Sequence, residues 1–579
     1  MLIAAAMAST AHRSVIEAIA CIAGQLLAIL RAMIERLALQ VLLAGASGLL
    51  LPFCFPDQQW FPLAWVALIP LHLAVERAGP KRAFFVSWFA GTLAFLGIMV
   101  WVVTAMHVYG KVPLFPSYGV LVLFALYLGL YVAFYGWGIA RVAQGRPSLL
   151  WLAAPSLWVL LELVRTYFLT GIPWALLGYS QTTWLPIIQI ADLTGVYGVS
   201  WLIVLGNVGL LTIVRLLSKR GRQFLGPSAW MAPVMAGFAL VGAWSYGIQT
   251  LGQSDADLHS KKPDGSGEDS RDITIGLVQA NIDQGQKWDE RFRQDTIERY
   301  QRLTRAAGRN VDLLVWPEAA TPFIYEMEGA YQKTVSGLIQ QLDTPLLFGS
   351  PAVRRYPDGR PYLLNSAYLL SPVGNIVGRY DKQHLVPFGE YIPFHHSLLF
   401  FLDKLVEGIG DFEAGIDATV LAVPQRIPRP SEVPGRPVPL EKGAFGVVIC
   451  YEVIFPELVR QFAAQGADFM VTITNDAWFG HSAAPYQHFD MVVFRAVENR
   501  RAFARAANTG VSGFIDPYGR VLQASPIFTE QAMTGNLPLL RTKTFYTEHG
   551  DLFAYACVII AGLCLLTSRP QSSAARRGW

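Results

Sequence analysis

The chain has 579 residues, 53% of them hydrophobic and 15% charged, with a formal net charge of +4 and a mean hydropathy of +0.36. Soluble globular chains carry about 25% charged residues, so the composition argues against a wholly soluble or a disordered protein, and the small net charge against a nucleic-acid partner. The charges are also unevenly spread: 15 among the 214 residues of 37–250, but 64 among the 300 residues of 251–550. A membrane half therefore precedes a soluble half of ordinary composition, long enough for a full enzyme domain.

Residues 1–35 form an N-terminal extension. Its apolar stretch 16–30 is short and holds Glu17 and Gln25, so it reads as an interfacial helix, or as sequence upstream of a start near Met33. The first twelve residues lack the basic region of a cleaved signal peptide. Residues 36–250 form a seven-span membrane domain. A span needs about 20 mostly apolar residues, and the candidates are 37–55, 60–76, 83–106, 117–140, 149–169, 187–215 and 229–249. An eighth lies at 551–567, followed by a tail at 568–579. The second and last are the shortest.

Arg and Lys in the loops set the orientation. Basic residues sit at Arg31 and Arg36, at Arg77, Lys81 and Arg82, at Arg141 and Arg146, at Arg215, Lys219, Arg220 and Arg222, and at Arg569, Arg576 and Arg577. The alternate loops are nearly free of cations, with Lys111 the exception in 107–116. One parity satisfies all of them: the basic loops are cytoplasmic, and seven crossings put 250–550 on the outer face. Within the fifth span, Glu162 and Arg165 are three apart and share a helix face. They read either as a mutually neutralising pair or as a contact for a lipid headgroup, because an isolated charge in hydrocarbon costs at least about 2.5 kcal/mol. Trp174, Tyr179 and Trp184 in the next outer loop form an interfacial belt or line a lipid entry.

Residues 251–272 are polar and rich in Gly and Ser, the composition of a flexible linker. Short apolar runs follow within 273–545: 273–279, 311–317, 345–349, 444–450, 468–474 and 512–516. Such runs suit strands buried on both faces. Helical patterns lie between them at 288–307, 328–342, 456–465 and 485–500, which makes an α/β domain. Residues 423–442, with six prolines, read as an irregular loop.

Cys450 is the single cysteine of the soluble half. Outside the cytoplasm structural cysteines normally come in pairs, so a lone one is either a nucleophile or a buried, inert thiol. It ends a strand ahead of a proline-led helix, a place from which a side chain reaches a cleft. No CxxC, HExxH or GxSxG is present, so neither a metal site nor a serine hydrolase is indicated. Glu318 follows the strand VDLLVWP, where desolvation raises a carboxyl pKa and suits it to general-base work. Lys382 lies in RYDKQHLVPFGEYIPF with Glu390 nearby. Taken singly, a Glu or Lys near a strand end is more often a surface residue.

WPE, DKQHLVPFGEYIP and CYE, in that order, resemble the Glu-Lys-Cys motifs of the nitrilase superfamily. With WPEAA, NDAWFG, PYQHF, the membrane motif GIPWALLGYSQ and the span arrangement, residues 36–567 resemble bacterial apolipoprotein N-acyltransferases. The resemblance implies a polytopic α-helical membrane domain of about eight spans plus an extracytoplasmic nitrilase-like αββα sandwich, in the bacterial inner membrane with its catalytic domain on the periplasmic face. It implies transfer of an acyl chain from a membrane phospholipid, through a thioester on Cys450, to the α-amino group of the diacylglyceryl-cysteine of an apolipoprotein, without a cofactor or metal. Glu318 is then the general base, and Lys382 lowers the thiol pKa and holds the oxyanion. Glu390 supports the triad, Tyr451 and Glu452 shape its surroundings, and Trp288, Asn475 and Trp478 line the acyl or headgroup site. For Trp288, Trp478 and Phe479 the alternative is core packing. Two other functions remain: a membrane-tethered C–N hydrolase with the same triad, and a non-enzymatic receptor or transporter. A tether needs one span, and the retained triad speaks against an inert domain.

Overall fold

The computed structural model describes residues 35–218, 229–259, 272–308, 310–391, 412–424 and 441–568. The N-terminal extension up to residue 34, the basic loop residues 219–222, residues 260–271 of the expected linker, most of 423–442 and the tail past Ser568 lie outside the described residues.

Among the described residues, five single helices have the length and apolar character of a span: Glu35–Cys54, Leu114–Gly145, Pro147–Tyr167, Val196–Leu217 and Met231–Ser254. A sixth is a pair, Pro80–Ile98 with Trp101–Tyr109, bent by 51°. The expected second and last spans are shorter apolar helices, Phe61–Val75 and Leu552–Thr567. Length and composition thus support five to six spans where the sequence suggested about eight. Both short helices still reach from one end of the bundle to the other. Gln59 donates to Asp490 of the soluble half at 3.1 Å, whereas Glu76 pairs with Arg215, at the basic end, at 2.6 Å. Asp551 accepts from Tyr167 at 2.6 Å, whereas Leu565 O accepts from Arg141 at 3.3 Å. A 16-residue α-helix is about 24 Å long, and the 3₁₀ stretch Phe61–Trp65 climbs faster per residue.

Two expectations are corrected. The span expected at 187–215 begins at Val196. Ahead of it the short Leu185–Thr194 segment ends at Gly195, whose φ of +63° a side chain would strain. Gln189 and Asp192 in that segment accept from Arg500 at 2.7 and 2.6 Å, contacts that hydrocarbon does not offer. Residues 251–259 are not linker but continue the Met231–His259 helix. Arg520 of the soluble half holds them, donating to Leu251 O at 3.3 Å and Ser254 Oγ at 3.0 Å.

Glu162 and Arg165 are buried and their charges act on one another, while their hydrogen bonds reach the outer loop. Arg165 donates to Trp174 O at 3.0 Å. Glu162 Oε1 accepts from Leu177 N at 2.7 Å and Trp158 Nε1 at 2.9 Å. The charged helix end therefore anchors the loop that meets the soluble half.

The soluble half is a sandwich of two six-stranded sheets. Its strands are β1 (Asp272–Gln279), β2 (Leu313–Val315), β3 (Leu346–Arg355), β4 (Pro361–Leu370), β5 (Ile376–Asp381), β6 (Leu421–Pro424), β7 (Glu441–Ile449), β8 (Phe469–Thr474), β9 (Ala502–Ala507), β10 (Gly513–Ile515), β11 (Val521–Ala524) and β12 (Gln531–Pro538). The orders are β12-β1-β2-β3-β4-β5 and β11-β10-β9-β8-β7-β6. Alternation along β1 shows the layering. Ile273, Ile275 and Leu277 share a core with the second sheet, while Val278 joins Leu314 and Trp316 under the Arg293–Ala307 and Gly329–Leu342 helices. The Pro456–Ala464 and Ala484–Asn499 helices cover the other side, and their core is continuous with that of the membrane half. This is an αββα sandwich. The ends of the expected 423–442 loop belong to β6 and β7.

Candidate active site

β1-β2-β3 and β7-β8-β9 pair in parallel, and ligands of parallel sheets bind beyond the carboxyl ends of the strands. Glu318 follows β2, Cys450 follows β7, Asn475 follows β8, and Lys382 follows β5. Gly349 on β3 leaves room for the Glu318 main chain. A Cβ there would lie 2.5 Å from Ala319 N and 2.6 Å from Glu318 Cα.

Lys382 is 1% exposed. Its Nζ lies 3.3 Å from Glu318 Oε1 and 2.9 Å from Glu390 Oε1. Asn365 Nδ2 bridges the same two oxygens, at 2.8 and 2.7 Å. Glu318 Oε2 accepts from Asn475 N at 2.9 Å and Glu390 Oε2 from Val386 N at 2.8 Å. The buried Glu318 and the half-buried Glu390 thus share one cation and one amide, and each keeps a main-chain donor of its own. Burial alone would lower the Lys382 pKa. The charges of Glu390 and Glu318 outweigh it and hold the ammonium above the usual lysine range.

Cys450 is a free, half-buried thiol with φ +52°. A non-glycine residue in the left-handed region costs of order 1–3 kcal/mol and marks a constrained turn. Glu452 supplies the constraint. Its Oε2 accepts from Ile449 N at 2.7 Å, and its Oε1 from Gln383 N at 2.6 Å, His384 N at 3.1 Å and Tyr380 OH at 2.7 Å. One buried carboxylate therefore clamps the Cys450 turn to the Lys382 loop. Behind the turn, His488 faces Cys450 O at 3.2 Å and Asp476 at 3.0 Å, and Asp476 pairs with Arg505 at 2.8 Å.

The thiol departs from expectation. Lys382 does pull its pKa down, but burial first, and then the Glu318 charge, push it well above the usual thiol range. The resting group is a neutral thiol, so its proton has to leave as the sulfur attacks.

The supporting residues fall in different places. Asn475 is inside the site: besides Glu318 it binds Gln284 at 2.7 Å and Asn508 at 3.0 Å. Tyr451 OH reaches Gly171 O in the membrane half at 3.1 Å, and His384 faces Thr170 O at 2.9 Å. Trp288 and Trp478 are 48% and 42% exposed, so neither is core. Trp478 sets its edge toward Tyr109 of the bent membrane helix. Phe479 does pack, against Trp101 and Trp174. Trp174 is buried, donating to Gln487 at 2.7 Å and stacking on His488. It braces the two halves and does not line an open entry.

Sequence reading missed Asn365 and Lys287. Asn365 sits in the apolar run of β4, where a buried amide needs partners and is a signal worth noting. Lys287 lies beside Trp288, buried, with Nζ 3.2 Å from Glu318 O.

Two family models match the chain: the apolipoprotein N-acyltransferase N-terminal domain over residues 47–209 and carbon-nitrogen hydrolase over residues 274–545. The apolipoprotein N-acyltransferase of Geobacter metallireducens is 43% identical over 520 residues, 89% of this chain and 93% of that protein. That of Methylococcus capsulatus is 34% identical over 546 residues, 92% and 97% of the two chains. Among solved structures, an amidase from Nesterenkonia sp. covers 53% of this chain and 96% of its own at 20% identity and a TM-score of 0.32, a likeness too distant to argue from.

Proposed function

The chain belongs to the apolipoprotein N-acyltransferase family, and from that premise we propose that Glu318, Lys382 and Cys450 carry its acyl transfer and that a membrane phospholipid is the donor. The protein is a membrane-embedded acyltransferase of lipoprotein maturation, with an apolipoprotein as acceptor. The observation that carries the residue assignment is the shared charge network of Glu318 and Lys382 beside a thiol held at positive φ.

Cys450 attacks the ester carbonyl while Glu318 takes the thiol proton. The Lys382 ammonium, held charged by its carboxylates, stabilises the tetrahedral oxyanion. The ester C–O bond breaks, Glu318 returns the proton to the leaving alkoxide, and a thioester and a lysophospholipid result. The acceptor's α-amine then attacks the thioester. Glu318 accepts its proton, the C–S bond breaks, and the proton passes back to sulfur. A thioester is activated toward amines and survives where water is kept out. A tethered amidase accounts for the sandwich but not for the matched membrane half.

A periplasmic site is supported by the bundle's polarity. Arg141 and Arg215 lie at the end away from the sandwich, while Gln59, Tyr167, Gln189 and Asp192 meet the sandwich or the segment leading from it. The assignment is tested by incubating purified protein with labelled phospholipid and analysing peptides by mass spectrometry. The expected result is an acyl adduct on Cys450. An adduct elsewhere, or one undiminished in Cys450→Ala, overturns the mechanism.

A further inference from the structure

Among the described residues the site holds two buried lysines, and Lys382 is the one paired with carboxylates. Lys287 is 2% exposed, yet among the described residues its nitrogen has a single hydrogen-bond acceptor, Glu318 O at 3.2 Å, and no ion-pair carboxylate. A buried ammonium without a counter-ion is costly, so its place requires an explanation. The turn that carries it is firmly built. Asp283 accepts from Gly285 N and Gln286 N, Gln284 binds Asn475, and Asn508 holds Ile282 through both main-chain atoms. The turn is thus latched to the ends of β8 and β9, and it directs Lys287 inward while its neighbour Trp288 points out.

We propose that Lys287 is a positioning residue for the general base: it holds the Glu318 main chain and sets a second positive charge next to the base while negative charge passes to the tetrahedral oxygen as the thioester forms. This rests on the assignment of the triad made above. The geometry separates the labour of the two lysines. Lys382 is shared between Glu318 and Glu390, so these three groups carry one net negative charge, and a second cation offsets it while negative charge passes from Glu318 to the tetrahedral oxygen. Lys287 is that cation, and Glu318 and Cys450 are the groups whose charges act on it.

The environment makes this charge titratable. Burial brings the Lys287 pKa down to about 8, against the opposing pull of Glu318 and Cys450. Of the buried groups of the site, Glu452, which clamps the Cys450 turn, titrates nearest, burial pushing its pKa up to about 7; it is unchanged in a Lys287 variant, so a fall that moves with Lys287 is not its own. Lys382 and the Cys450 thiol are pushed up, and Asp476 is held low by Arg505 and His488 in spite of its burial. On its own turn, Asp289 is held down by Arg291. Below about pH 8 Lys287 is a cation and thioester formation is supported; above it the charge is lost and the rate falls.

The test is the rate of Cys450 acylation by labelled phospholipid, followed by mass spectrometry from pH 6 to 10 in full-length protein. Wild type should slow as pH rises through about 8. Lys287→Met should be slower, on the order of tenfold, since a directly placed donor is worth about 10²–10³ and this one acts through Glu318, and it should lose the fall near pH 8. Lys287→Arg keeps the cation and the donor, and should carry the fall to higher pH. A merely structural lysine would leave the pH profile in place. Lys287→Met acylating at the wild-type rate, or either variant keeping the fall near pH 8, overturns the proposal. Should Lys287→Met fail to fold, Lys287→Arg alone decides. An absent adduct in wild type overturns the triad assignment together with this one; an adduct with an unchanged profile in the variants overturns this one alone.

Discussion

Asn365→Leu removes one amide and keeps the side chain's approximate shape. Asn365 Nδ2 donates to Glu318 Oε1 at 2.8 Å and to Glu390 Oε1 at 2.7 Å. A hydrogen bond to a charged group contributes roughly 1.5–3 kcal/mol, and a buried acceptor that loses its donor pays its full desolvation cost. Neither carboxylate is left bare. Glu318 retains Lys382 and Asn475 N, and Glu390 retains Lys382 and Val386 N. The expected loss for the general base is therefore a single charge-assisted bond, about 1.5–3 kcal/mol, or roughly tenfold to a hundredfold in the acylation rate. The assay is the burst of acyl adduct on Cys450 with labelled phospholipid, alongside apparent melting in detergent. Asn365→Asp sharpens the test. It puts a third carboxylate against two others in place of a donor, so this variant should be slower than Asn365→Leu. Wild-type acylation by Asn365→Leu refutes the idea that this amide orients the base, because no other side-chain amide bridges the two carboxylates among the described residues.

Lys382→Ala should lose acylation by at least about 10²-fold and melt lower, because the buried Glu318 and the half-buried Glu390 would then lack their shared cation; an active, equally stable variant contradicts the charge network. Asp490, which accepts from Gln59 across the junction of the two halves, gives a pH dependence of stability. Burial pushes its pKa up to about 8, above its unfolded value. The folded state then holds the extra proton, so the contribution is present in acid and declines as the pH climbs to about 8. Melts from pH 5 to 9 should show this decline in wild type and a flatter profile in Asp490→Asn; parallel profiles would rule out that role for Asp490.

The membrane half was legible in the sequence because hydrocarbon excludes charge over long windows, which composition records directly. The places where this reading slipped are those where the catalytic half supplies the polar partners. Gln189 and Asp192 look like interruptions of one span until Arg500 is brought beside them. Residues 251–259 look like linker until Arg520 reaches them. The proximity of two charges on one face, as in Glu162 and Arg165, does not say whether they meet.

Glu318, Lys382 and Cys450, proposed here as the reacting residues, stand out in the chain only through motifs that resemble a family, since each alone also reads as a surface or inert residue. Their relation does not stand out there. The left-handed turn at Cys450, its clamping by Glu452, the neutral state of the thiol and the presence of Asn365 and Lys287 at the site all arise between residues distant in sequence. Residue type states what a group can do. Burial and the partners that folding brings to it decide its charge, and through charge the part it plays.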